Sequence, residues 1–147
     1  MLDIREILSD PRQFINLLLI GDEQEDMIDR YINSCRLFIG YIDGKPCACC
    51  AIKVVDTATV EIKNLAVVAE YRRHGVGRAM LEHVESLLSG NTFIIGTGET
   101  PSTLRFYQNC GYNYSHRIPD FFTDNYDHPI IEEGIQLKDM LYLSKHM

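Results

Sequence analysis

Seven consecutive residues, Arg72-Arg73-His74-Gly75-Val76-Gly77-Arg78, combine positive charge with glycine in a way that suits an anion. The chemistry would be phosphate binding. The first N–H groups of a helix have no partner inside it, and the helix dipole leaves partial positive charge on them. Glycine at positions 75 and 77 removes the Cβ that would hold a phosphate away from the backbone. Arg72, Arg73, His74 and Arg78 surround that nest with mobile charge, so a pyrophosphate is the guest such a turn predicts.

Two common phosphate patterns do not fit. A P-loop requires G-x-x-x-x-G-K-[ST], and Gly77 is followed by Arg78 and Ala79. A dinucleotide fingerprint requires a third glycine where Met80 stands, after a strand that is apolar almost throughout, and the strand here carries Glu61, Lys63 and Asn64. What fits is R-x-x-G-x-G, running from Arg72 to Gly77.

The turn needs a strand to deliver it and a helix to leave it. Thr59 to Val68 alternates in its first half, with Val60 and Ile62 on one face and Glu61 and Lys63 on the other, so the second face meets water or a ligand. Val76, Met80, Leu81, Val84, Leu87 and Leu88 form one apolar stripe of the helix, and Gly90 ends it.

Before this stretch, Leu2 to Leu8 reads as a strand. Asp10 and Pro11 read as the cap and first turn of a helix to Leu19, ended by Gly21. Asp22 and Glu25 have capping-box spacing for a second helix with Met27, Ile28, Tyr31 and Ile32 on its apolar face. Leu37 to Ile42 and Lys45 to Val55 form a hairpin around Asp43-Gly44. After Gly90 come a strand at Phe93 to Gly96, a helix from Pro101 to Gly111 capped by Thr100, and a strand at Tyr112 to Ile118. A loop with one helical turn follows at Asp120 to Pro129, then a last strand at Ile135 to Ser144. The expectation is one α/β (α+β) domain over residues 1–147, with a mixed, mostly antiparallel sheet flanked by helices.

Composition narrows the partners. A net charge of −7, from 14 Lys and Arg against 21 Asp and Glu, argues against nucleic acid and fits a cationic ligand. No apolar run approaches the ~20 residues of a membrane span, and no signal peptide opens the chain, so the expected place is the cytoplasm with no membrane partner. The five cysteines match no zinc spacing; Cys47 and Cys49 should share one strand face and Cys50 the other, as buried free thiols. The five histidines show no metal spacing, so no metal is expected.

Beyond the turn, Glu61-Ile62-Lys63-Asn64-Leu65-Ala66-Val67 upstream and Phe106-Tyr107-Gln108-Asn109-Cys110-Gly111-Tyr112 downstream complete a pattern. It resembles the GNAT superfamily of N-acetyltransferases, in detail from Thr59 to Tyr112 and in outline over most of the chain. The resemblance implies acetyl-CoA as cosubstrate and a primary amine, on a small molecule or peptide, as acceptor. Glu61 takes the position of the base. The Leu65 N–H takes that of the donor to the thioester carbonyl, where the strand bulges and splays, and Tyr107 that of the acid beside the thiolate.

By the same resemblance Leu65, Ala66 and Val67, with Arg72, Arg73, His74, Gly75, Val76, Gly77 and Arg78, hold the pantetheine and pyrophosphate. Thr100 and Thr103 stand where asparagine and alanine are frequent, and Thr100 joins the expected cofactor set. The two N-terminal helices wall the acceptor site, and the acids Asp120, Asp124, Asp127, Glu132 and Glu133 favour a cationic acceptor. A homodimer is one assembly open to such a chain. The rival expectation is a noncatalytic CoA-binding module with the same fold; Glu61 and Tyr107 together favour the enzyme.

Overall fold

Period-two alternation and hairpin turns become a seven-stranded sheet in the computed structural model, which describes all residues, 1–147. Its strands are β1 (Leu2–Ile7), β2 (Arg36–Ile42), β3 (Lys45–Val54), β4 (Thr59–Val67), β5 (Thr92–Gly98), β6 (Asn113–Ile118) and β9 (Met140–His146). The order is β1-β2-β3-β4-β5-β9-β6, with every neighbouring pair antiparallel except β4 and β5. β7 (Ile131–Glu132) and β8 (Ile135–Gln136) form a separate small hairpin, so the expected last strand from 135 to 144 is two elements broken near Leu137. The β2–β3 turn carries positive φ at both Asp43 (51°) and Gly44 (76°), as a two-residue hairpin loop requires.

The helices are α1 (Ile15–Gly21), α2 (Glu25–Asp29), α3 (Val76–Leu87), α4 (Pro101–Asn109) and α5 (Phe121–Asn125). They cover both faces. On one face α3 and α4 press Met80, Leu81, Val84 and Tyr107 onto Phe38, Ile52, Val60 and Ile62. On the other, α1 and α2 press Leu18 and Ile28 onto Ile39, Cys49 and Ala66. Each fully buried aliphatic side chain contributes about 1.5–3 kcal/mol.

The expected start of α1 differs. Asp10 adopts a left-handed conformation with no capping bond, and Pro11–Phe14 form a 3₁₀ turn before the helix proper. The expected Asp22–Glu25 capping box is also absent: Gln24 precedes α2 without a side-chain cap, and Asp22 is occupied elsewhere.

Two bulges change which face a residue meets. Gly40 pairs with Ala48 but Tyr41 pairs with Pro46, so Cys47 is an extra residue in β3. It therefore joins Cys50 on the α3 face while Cys49 faces α1, which corrects the simple alternation expected for the cysteines. All three thiols are free and buried, and burial pushes Cys49 up to about 12. In β4, Ala51 pairs with Asn64 and Ile52 with Ile62, leaving Lys63 as the extra residue.

The stripe on α3 also differs at one end. Leu87 is half exposed, and Glu85 takes an inward position instead. Its carboxylate accepts from Tyr112 Oη at 2.7 Å and Lys145 Nζ at 3.0 Å, and Lys145 also donates to the Cys110 carbonyl at 2.8 Å. This clamp ties α3, the end of α4 and β9 together. Breaking a buried, hydrogen-bonded charge pair of this kind costs about 3–5 kcal/mol.

Candidate active site

β4 and β5 pair only from Thr59–Thr92 to Ile62–Ile95 and then part. Beyond that point β4 keeps its ladder with β3 alone. Val68 N–H donates to the Cys47 carbonyl at 2.9 Å, which sets the alternation. Leu65 and Val67 therefore turn their N–H and C=O groups away from β3 and into the gap. Arg72 Nε reaches the Val67 carbonyl there, at 3.0 Å.

The gap opens into a cleft of about 730 Å³ between β4, the start of α3 and α4. Arg72, Arg73, Gly75, Val76, Gly77 and Arg78 line it, as do Leu65, Ala66 and Val67. The first hydrogen bond of α3 runs from Ala79 N–H to Gly75 C=O at 3.0 Å, so the amides of Val76, Gly77 and Arg78 precede the helical ladder. The two glycines serve different ends. Gly75 has φ 79° and its Cβ would meet open space, so it is there for the left-handed conformation. A Cβ on Gly77 would lie 3.1 Å from Phe106 Cζ, so Gly77 keeps space across the cleft.

Tyr107 on α4 is buried against Phe106 and Tyr112, with ring centroids 5.0 and 6.1 Å apart. Burial raises its phenol well above the usual tyrosine range, with nearby Cys50 adding to the shift. It keeps its proton at neutral pH, so its hydroxyl is available as a hydrogen-bond donor.

Behind Leu65 and Tyr107 lies an inner chamber of about 120 Å³, and those two residues alone are shared by its wall and the cleft's. Asp22 and Glu132 bring carboxylates to it. Asp22 continues into an outer chamber of about 230 Å³, where Glu61, Tyr31 and Tyr142 stand. Burial raises the proton affinity of the Asp22 carboxyl, which two hydroxyls counter by donating to it: Tyr126 at 2.7 Å and Tyr31 at 3.3 Å. Asn64, buried mid-strand, donates to the Leu18 carbonyl at 2.9 Å and to Tyr31 Oη at 3.1 Å. Gly21 makes this possible, since a Cβ there would stand 2.2 Å from Asn64 Oδ1.

Glu61 is held by Lys63 Nζ at 3.2 Å and Tyr142 Oη at 3.0 Å, its side chain 14% exposed. It lines the outer chamber and not the inner one.

The family profile described as "Acetyltransferase (GNAT) domain" matches residues 33–114, more than half of the chain. This chain belongs to the GNAT acetyltransferases. An uncharacterized N-acetyltransferase of Bacillus subtilis, YvbK, is 31% identical over 135 residues, covering 89% of this chain and 87% of the relative. A GNAT family acetyltransferase from Elizabethkingia anophelis, solved with acetyl-CoA bound, superimposes with a TM-score of 0.91 at 30% identity, over 99% of this chain and 98% of that one. A Bacillus subtilis acetyltransferase solved with CoA gives 0.87 at 28% identity, over 100% and 99%.

Within this GNAT fold most of the expected residues converge on the cleft; Glu61 stands apart in the outer chamber, and two others line no chamber. His74 is exposed and outside the cleft wall, because the left-handed Arg73 (φ 66°) and Gly75 on either side turn it outward. Thr100 is fully buried at the start of α4, its hydroxyl without a partner, and Ser102 and Thr103 line the cleft instead. Of the five acids after β6, only Glu132 reaches a chamber. Sequence reasoning missed Asp22, which it took for a cap, and Asn64. A polar residue at a strand position that pairing buries was the available signal. No group of three His, Cys, Asp or Glu is placed to hold a metal.

Proposed function

We propose that the protein transfers the acetyl group of acetyl-CoA to a primary amine by direct attack on the thioester. One observation carries this: Leu65 and Tyr107 are the sole common wall of the cofactor-sized cleft and the inner chamber, so thioester and amine would meet between them. The cleft volume suits an extended ligand of this size, and two solved relatives carry acetyl-CoA or CoA.

The α3 amides and the arginines would take the pyrophosphate, and the free main-chain groups of β4 the pantetheine amides. The acceptor's ammonium first loses one proton to solvent, and the neutral nitrogen's lone pair then forms the new C–N bond while negative charge gathers on the carbonyl oxygen. The Leu65 N–H, facing the gap, stabilises that charge; such a donor is worth ~100–1000-fold in rate. As the C–S bond breaks, the departing thiolate receives a hydrogen bond from Tyr107, and the nitrogen sheds its proton. Glu61 accepts that proton from across the chambers, through water, since it lines only the outer one.

The test is acetyl-CoA with a panel of primary amines, with product identified by mass. Amide products are expected. Acetyl-CoA binding with no transfer to any acceptor would leave a noncatalytic CoA-binding module, and esters or thioesters in place of amides would overturn the acceptor class.

A further inference from the structure

The two chambers behind the transfer point carry opposite charge, and on a chain of net charge −7 the outer one is the exception. The inner chamber has Asp22 and Glu132 against Lys63 alone. The outer chamber has Arg30, Lys53 and Lys63 against Asp22 and Glu61. Lys63 is taken up by Glu61 at 3.2 Å. Arg30 bonds only the neutral side chain of Asn125, at 3.0 Å. Lys53 stands opposite Glu61 in the β3–β4 register, and that carboxylate is already held by Lys63 and Tyr142. Two cations thus face the outer chamber with no carboxylate bound to them. The chambers adjoin, with Asp22, Ile62, Lys63, Gly96, Tyr126 and Met140 common to both walls.

Resting on the amine-transfer reading above, we propose that the acceptor is a small zwitterion. Its ammonium enters the inner chamber against Asp22, and its carboxylate lies in the outer chamber against Arg30 and Lys53. Asp22 is suited to this. Tyr126 and Tyr31 fix its oxygens from two sides, at 2.7 and 3.3 Å, so it presents a set orientation to the entering amine. An ammonium there meets charge and hydrogen bond together, the stronger class of polar contact. Burial disfavours the Asp22 anion, and a cation placed beside it offsets that burial. The chamber of about 120 Å³ has room for an aminoalkyl end. The chamber of about 230 Å³ has room for the remainder of an amino-acid-sized molecule. A diamine or polyamine would carry its second charge toward Arg30 and Lys53, and like charges there oppose it.

The experiment is steady-state acetylation of ω-amino acids of increasing length, each against its uncharged amide, with spermidine and an amidated tripeptide as other arms. At one chain length the acid should exceed its amide in kcat/KM by about tenfold or more, the worth of one charge-assisted contact. Arg30→Ala with Lys53→Ala should bring that ratio toward one. Asp22→Asn should lower kcat/KM for acid and amide alike by about tenfold, with acetyl-CoA affinity by calorimetry within twofold of wild type. Equal rates for acid and amide at every length, or a ratio unmoved by the double variant, overturns the zwitterion. Preference for spermidine or the tripeptide also overturns it while leaving amine transfer standing. No transfer to any arm sinks both readings.

Discussion

The cofactor cleft and the acceptor chambers meet at Leu65 and Tyr107 but are built in opposite ways. The cleft offers backbone amides, two glycines and the arginines beside them, supplied by two contiguous stretches, 65–78 and 102–110, with Ile20 as the outlying wall. The chambers are side chains gathered from six places, Asp22, Tyr31, Asn64, Tyr126, Glu132 and Tyr142, the first four bonded to one another across up to 104 positions of sequence. A binding surface of backbone tolerates change in most side chains around it. One made of a hydrogen-bonded network responds to each member.

The widest effect should come on the cleft side, from filling the space that Gly77 keeps. Gly77→Phe should weaken acetyl-CoA binding by at least about 100-fold, about 2.8 kcal/mol, while the far-ultraviolet circular dichroism keeps its native form. Unchanged affinity by calorimetry would break the contrast, because the backbone would then not be the recognition surface.

Tyr107→Phe tests the boundary between the regions. It should lower kcat by about 100-fold with the KM for acetyl-CoA little changed, since the hydroxyl matters once the thiolate forms. A rise in KM with kcat intact would move Tyr107 to the cofactor side.

The smallest effect belongs to the chambers and concerns stability. The Asp22 carboxyl binds its proton more readily folded than unfolded, so its contribution is fully present below the ordinary carboxylate range and is lost as pH rises through the raised value. At neutral pH the ionised group is therefore a cost. Asp22→Asn should raise the melting temperature by a few degrees at pH 7 and lose that advantage as pH falls toward ~4. A melting temperature lowered at both pH values would make Asp22 a structural anchor.

The same contrast explains what was legible in the sequence. The β4–turn–α3 unit announces itself because its chemistry is local: Gly75 and Gly77 are two residues apart, and Arg72 reaches back five residues to Val67. The fold class was also legible, since alternation, the Asp43-Gly44 turn and the α3 stripe each carry a short-range signal. Asp22 was hidden because its role depends on Tyr126, 104 positions away. Glu85 was hidden inside an apolar stripe because its partners, Tyr112 and Lys145, belong to later strands and loops. The faces of Cys47 and Cys49 were lost because one inserted residue shifts the phase of everything beyond it.

The parting of β4 from β5 has a consequence for exchange with solvent. Amides at the centre of a sheet are ordinarily among the slowest to take up deuterium, yet Leu65 and Val67 sit in the fourth of seven strands with one ladder missing. They should label early while Ala66 and Val68, bonded toward β3, label late, giving an alternating pattern along one strand. A ligand whose amides bridge the gap would act as a substitute strand. Protection at the odd-numbered positions would then record its arrival residue by residue.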